Sequence, residues 1–164
     1  MITRAATRAD ADAIARIYNE GIEDGVATFE TRPRTAEHVL GWLEEGYPVV
    51  VGEDEGVVVA WASAPQYRAE KPHYVGVGDF SIYVARLARG RGAGRATLQA
   101  LIEECESRGY WKLVSRIFPE NEASLALCRS LGFREVGTYR RHGKLDGEWR
   151  DCVVVERLLG EAAG

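Results

Sequence analysis

The stretch Ser81–Arg95, Ser-Ile-Tyr-Val-Ala-Arg-Leu-Ala-Arg-Gly-Arg-Gly-Ala-Gly-Arg, constrains this chain more than any other. Ser81–Val84 reads as the end of a buried strand. Gly94–Ser107 reads as an amphipathic helix with Leu98, Leu101, Ile102 and Cys105 on one face. Strand and helix must therefore join through Arg89-Gly90-Arg91-Gly92-Ala93-Gly94. Glycines there leave backbone N–H groups uncovered, where a helix N-terminus already presents unpaired donors and partial positive charge. Arg89, Arg91 and Arg95 add charge, so the turn is either an anion site or a plain tight strand-to-helix connection. No Gly-Lys-Ser/Thr follows, so it is not a P-loop, and Gly-x-Gly-x-x-Gly near a first strand is missing.

The flanking segments alternate helix and strand signals. Ile2–Ala6 is a short strand, and Thr7-Arg8-Ala9-Asp10 looks like a capping box before a helix carrying Ile14, Ile17, Tyr18 and Ile22, its end loosened by Gly21 and Gly25. A loop over Val26–Arg34 leads to a second helix capped by Thr35, with Val39, Leu40 and Leu43 inward. Strands at Pro48–Glu53 and Val57–Ala64 flank the turn Asp54-Glu55-Gly56. Pro65–Val77 is a long working connection, and Gly78–Val84 a central strand. After the glycine turn and its helix come a strand at Lys112–Phe118 and a short helix capped by Asn121, with Leu125, Cys128 and Leu131 at three-residue steps. Gly132 and Phe133 close that helix. Arg134–Arg141 and Glu148–Leu158 form the last two strands, joined through Lys144-Leu145-Asp146-Gly147. The order predicts an α/β (α+β) domain spanning residues 1–164: a mixed, mostly antiparallel central sheet flanked by helices.

Composition narrows the function classes. A net charge of −4 gives no reason to expect nucleic acid. Cys105, Cys128 and Cys152, an odd number at irregular spacing, argue against a disulfide framework or a zinc site and fit a reducing, cytoplasmic location. No apolar run approaches a membrane span, and the N-terminus lacks a signal-peptide core.

Arg89-x-x-Gly92-x-Gly94 resembles the pyrophosphate loop, R/Q-x-x-G-x-G/A, of the Gcn5-related (GNAT) N-acetyltransferases. The Asn-led helix ending in Leu131-Gly132-Phe133 is similar to that family's second signature, and the element order matches along nearly the whole chain. The resemblance implies the acyl-CoA N-acyltransferase fold and acetyl-coenzyme A as co-substrate. It places the diphosphate on Arg89, Gly90, Arg91, Gly92, Ala93, Gly94 and Arg95, and a further coenzyme contact at Asn121. An oxyanion donor is expected on the backbone near Tyr83 or Val84. Five segments, Ile17–Ile22, Thr28–Thr31, Tyr47-Pro48, Ser81–Val84 and Asp146–Asp151, resemble the phosphinothricin, methionine sulfoximine and arsinothricin acetyltransferase branch. That branch implies α-amino acetylation of a glutamate-like toxin by a homodimer, without metal.

Acetyl transfer to an amine needs a proton acceptor, donors for a developing oxyanion, and an acid or cation for the departing thiolate. The branch credits a Glu two positions before the Ser/Thr-x-Tyr-Val strand as base. Asp79 stands there, one methylene shorter, or else it merely satisfies backbone donors at a strand bend. Cys128 takes the place of the family's Tyr acid; its helix spacing equally fits a core thiol, the better match to the pattern. For the acceptor, the resemblance points to Arg68, Lys71 and Tyr74 in the working loop and to Phe29 as a pocket wall, with a solvated loop as the alternative for Lys71. Trp149 either closes the pocket or packs a dimer. Acetylation of protein N-termini or polyamines, and a non-catalytic acyl-coenzyme A sensor, are the competing readings.

Overall fold

The computed structural model describes residues 1–164. The strands are β1 (Ile2–Ala5), β2 (Val49–Asp54), β3 (Val57–Ser63), β4 (Val77–Asp79), β5 (Ser81–Val84), β6 (Lys112–Ile117), β7 (Arg134–Leu145) and β8 (Glu148–Leu158). The helices are α1 (Ala11–Asp24), α2 (Ala36–Glu45), α3 (Ala93–Ser107) and α4 (Glu122–Ser130). The expected central strand 78–84 is in fact two strands, and the expected single sheet is two. Strands run β1-β2-β3-β5 in one sheet and β4-β6-β8-β7 in the other. Every pairing is antiparallel except β4 with β6.

Local chemistry accounts for the element ends. Asp10 accepts from the Thr7 N–H at 2.7 Å, closing the expected capping box, although a 3-10 turn over Arg8–Asp10 precedes α1. Thr35 Oγ1 accepts from the His38 N–H, and His38 Nδ1 accepts from the Thr35 N–H at 3.0 Å, which starts α2. Gly21 does not loosen α1. It lies inside that helix, buried, where a Cβ would stand 2.6 Å from the Tyr83 ring. Strand β7 runs four residues past its expected end at Arg141, through two irregularities in its pairing with β8, and turns at Asp146-Gly147, both at positive φ.

Both faces of the first sheet are covered, so β2 is apolar in succession rather than alternating. Val49 and Val51 pack with Ile14, Ile17, Val39 and Trp61 under α1 and α2. Val50 faces Leu98, Leu101 and Ile102 of α3, in a core continuous with Leu113, Leu125, Phe133 and Val155. Tyr18, Trp61 and Tyr83 form a stack with ring centroids 4.9–5.6 Å apart, and Trp42 leans on it. This stack holds β5 against α1, and β5 is the strand that borders the site.

Candidate active site

The site begins where the two sheets part. Parallel pairing of β4 with β6 ends at Asp79 opposite Val114, and Phe80 N–H donates the last rung to Val114 O at 2.9 Å. Ser115 Oγ donates to Phe80 O at 2.9 Å and pins the point of separation. From Ser81 onward the chain pairs only with β3, while β6 stays with β8. Ala85 N–H donates to Val59 O, and hydrogen-bonded positions alternate in an antiparallel ladder. Tyr83 and Ser81 therefore use their N–H groups on β3, and the N–H groups of Ile82 and Val84 point into the split. Of the two expected backbone donors, Val84 has the right parity. Tyr83 does not, and Ile82 takes its place.

Two cavities meet at this split. The larger, about 590 Å³, is lined by Tyr83, Val84, Arg89, Gly90, Gly92, Gly94, Arg95, Asn121 and Leu127, among others. The smaller, about 270 Å³, contains Asp79, Ser81, Ser115 and Arg116 between the rings of Phe29, Phe118 and Tyr18. Ala27, Ile82, Tyr83, Asn121 and Ser124 belong to both walls, so an acyl group entering along one meets an acceptor held in the other.

The glycine turn is built as its sequence predicts. Gly90 and Gly92 have φ of +77° and +85°, with open space where a Cβ would go; their requirement is conformational, not steric. Gly94 is different, because a Cβ there would press on Val84 and Leu127 at 3.3 and 3.4 Å. Ala96 N–H makes the first bond of α3, to Gly92 O, which leaves the N–H groups of the preceding three residues pointing out of the helix end. Arg95 donates to Ser130 Oγ at 2.7 Å, and Arg89 donates to Val84 O while pairing with Asp24 at 2.6 Å. Asn121 Oδ1 accepts from Ser124 N–H at 3.3 Å as the α4 cap. Two expected coenzyme residues do not line the cavity: Arg91 turns back onto Leu87 O, and the Ala93 side chain is buried. A glycine cradle, free helix-end donors and two arginines fit a diphosphate, and these residues would hold the coenzyme there.

The acceptor side needs more correction. Asp79 lies in the smaller cavity with its side chain 28% exposed, and Arg116 Nη2 donates to its Oδ2 at 2.9 Å. Burial opposes the charge on Arg116 most strongly, but the hydrogen bond to Asp79 and the attraction of its charge together raise the guanidinium above its ordinary value. Phe29 is a wall as expected, edge-on to Phe118 at 4.8 Å. Arg68, Lys71 and Tyr74 do not line the cavity: Arg68 and Lys71 are solvent-exposed, and Tyr74 packs against Tyr67 and His73. The cation that does line this cavity is Arg116. Arg116 was not singled out from the sequence, because in β6 it is one polar residue beside Lys112 and Ser115.

Cys128 is a core side chain, 1% exposed among Leu125, Leu131 and Phe133, and it lines neither cavity. Burial pushes its thiol up to about 12, and the acid alternative has no geometry here. Cys152 is also buried, and it borders the acceptor cavity. Burial also pushes the Tyr18 and Tyr83 phenols up, so both stay protonated near neutrality. No cluster of three or more metal-ligating side chains occurs, and no helix is long and apolar enough to cross a membrane.

A split between β5 and β6 above a glycine turn that opens a helix is the arrangement of an acetyl-coenzyme A-dependent acyltransferase. The profile of the acetyltransferase (GNAT) family matches residues 13–133, and the chain belongs to that family. It is 34% identical over 167 residues to an L-methionine sulfoximine/L-methionine sulfone acetyltransferase of Salmonella typhimurium, covering 99% of this chain and 97% of that protein. Among solved structures it is similar to a phosphinothricin acetyltransferase from Sinorhizobium meliloti in complex with AcCoA (TM-score 0.90, 36% identity, 98% and 89% covered). It is also similar to a ribosomal-protein-alanine N-acetyltransferase from Brucella melitensis (TM-score 0.91, 38% identity, 97% and 100% covered).

Proposed function

We propose that this enzyme acetylates the α-amino group of a small toxic amino acid of the phosphinothricin, arsinothricin or methionine sulfoximine kind. The observation that carries this reading is the smaller cavity, which joins the coenzyme cavity at Ile82 and Tyr83 and has Asp79 in its wall. The relatives named for methionine sulfoximine and phosphinothricin support the substrate class.

Acetyl-coenzyme A supplies an activated acyl carbon. The chain's residues do the rest. Gly90, Gly92 and the α3 N-terminus hold the diphosphate, with Arg89 and Arg95 beside them. The Ile82 and Val84 N–H groups donate to the carbonyl oxygen as negative charge builds there. Asp79 takes a proton from the acceptor ammonium, directly or through water, and passes it to solvent. The C–N bond forms as the C–S bond breaks, and the second ammonium proton ends on sulfur, giving the free thiol. The fixed N–H donors on a packed strand are the largest contribution expected from the protein.

The long β7 edge supports a homodimer. Eleven of its twelve residues are exposed or only partly buried, and Val136, Tyr139 and, on β8, Trp149 present apolar surface beside an unpaired strand edge. The three cysteines are free and buried, which fits a cytoplasmic setting. A thiol-release assay over a panel of amines tests the reading. Turnover is highest with phosphinothricin, arsinothricin or methionine sulfoximine, and low with spermidine and an alanyl peptide. The reverse order defeats it.

A further inference from the structure

We infer that Arg116 reads the α-carboxylate of the acceptor, so that the Asp79–Arg116 pair is a receptor for an amino-acid zwitterion. The inference rests on the reading that the acceptor is an amino acid, and it adds a residue that no sequence signature marks.

The smaller cavity is lined by one anion, Asp79, and one cation, Arg116. Arg116 sits on β6 opposite Val154 of β8, inside a hydrogen-bonded sheet, so its backbone is fixed relative to the split. It makes one hydrogen bond, through Nη2 to Asp79, and its side chain is 40% exposed. A guanidinium has five N–H donors in a rigid fork, so four remain for a ligand. The two charged groups of the ion pair are 2.9 Å apart. In an amino acid the ammonium nitrogen and the carboxylate carbon share Cα, and the bond lengths place them roughly 2.5 Å apart.

The zwitterion is therefore short enough for both of its charges to lie against the pair. Laid side by side, ammonium meets Asp79 and carboxylate meets Arg116, and every neighbouring pair around the four groups is opposite in sign. This arrangement puts the reacting nitrogen on the proposed base, and it does so through the part of the substrate common to all amino acids. A polyamine would set a second cation against Arg116. A peptide N-terminus would offer an uncharged amide carbonyl, a weaker acceptor for a guanidinium than a carboxylate. Arg68 and Lys71 do not line the cavity.

The test compares kcat/KM for phosphinothricin with that for its α-carboxamide, in wild type, Arg116→Gln and Arg116→Lys. Wild type favours the acid by about tenfold to a hundredfold, the span of a hydrogen bond to a charged group. Arg116→Gln brings the ratio near one by raising the KM of the acid, and Arg116→Lys retains part of the preference. The KM for acetyl-coenzyme A and the melting temperature hold in both variants. Taking a ratio cancels any effect of the substitution on Asp79 as a base. An unchanged ratio in Arg116→Gln, or no preference in wild type, overturns the role of Arg116 while leaving an amino-acid acceptor standing. A wild type that prefers spermidine or an alanyl peptide defeats the amino-acid reading as well.

Discussion

Gly21 offers a measurement in which two effects of known size oppose each other. It lies in the interior of α1, where glycine is poorer than alanine by about 0.5–1 kcal/mol, so Gly21→Ala should stabilise an uncrowded helix. The space is not open. A Cβ would fall 2.6 and 2.7 Å from Cε1 and Cδ1 of Tyr83. That ring cannot swing aside, because it stacks on Tyr18 at 4.9 Å and on Trp61 at 5.0 Å. Overpacking of this kind costs about 1–3 kcal/mol, so the clash outweighs the propensity gain by up to about 2.5 kcal/mol. At about 2–4 °C per kcal/mol for a domain of this size, the melting temperature should fall by up to roughly 10 °C. Gly41 in α2 is the control: nothing lies within 4 Å of its Cβ, and Gly41→Ala should raise the melting temperature by roughly 1–4 °C. Displacing Tyr83 also shifts the Ile82 and Val84 N–H groups. Turnover of Gly21→Ala should drop about tenfold or more, since an ångström of misplacement costs about 10²-fold. Scanning calorimetry and the thiol-release assay read both effects. A Gly21→Ala protein that is more stable than wild type and fully active would refute the aromatic clamp on β5.

Three further outcomes follow from the geometry. Gly92→Ala forces a side chain onto a φ of +85° at the diphosphate cradle and should raise the KM of acetyl-coenzyme A at least about tenfold, or 1.4 kcal/mol. The same variant should leave acetyl-pantetheine, which lacks the diphosphate, unchanged, and equal losses with both would remove the turn from the site. Asp79→Asn should lower turnover about 10²-fold or more, with the loss shrinking as rising pH frees the amine; a pH-independent loss marks a structural role. At the other end of the molecule, Arg4 grips Asp10 through two hydrogen bonds of 2.8 and 2.9 Å and holds its carboxyl below the usual 3.8, against the opposing effect of burial. A lowered carboxylate contributes stability that is full above the unfolded value and is lost as pH falls through the folded one. Asp10→Asn should therefore cost about 2 kcal/mol in urea unfolding at pH 7 and markedly less near pH 3, and an equal cost at both pH values would exclude the ion pair as the cause.

Most of the architecture was legible in the residues, because local signals and tertiary packing agree. Helical spacing of Ile14, Ile17, Leu98, Leu101 and Ile102 marks faces that are fully buried. Thr7, Thr35 and Asn121 lie at helix starts, and Gly92 takes the positive φ that only glycine adopts cheaply. These are short-range properties, set within one helical turn of the residue concerned. The coenzyme side of the site was readable for the same reason, since a diphosphate cradle is one contiguous turn.

The acceptor side was decided by the tertiary structure. Nothing in the run from Gly78 to Val84 says that the chain leaves one sheet for another at Phe80; the switch depends on which strand lies opposite, β6 before it and β3 after it. That exchange selects Ile82 and Val84, not Tyr83, as the strand's free donors. The meeting of Asp79 with Arg116 crosses 37 residues of sequence, whereas Arg68 and Lys71, to which the family resemblance pointed, stand outside that cavity. Cys128 went to the core because its α4 face turns toward Leu125 and Leu131, away from both cavities. Sequence alone determined the fold family, the helix ends and the anion turn, where the interactions are local. Which charges face the substrate was left to the register between distant strands, because a side chain's neighbours across a sheet are set by pairing and not by its own surroundings in the chain.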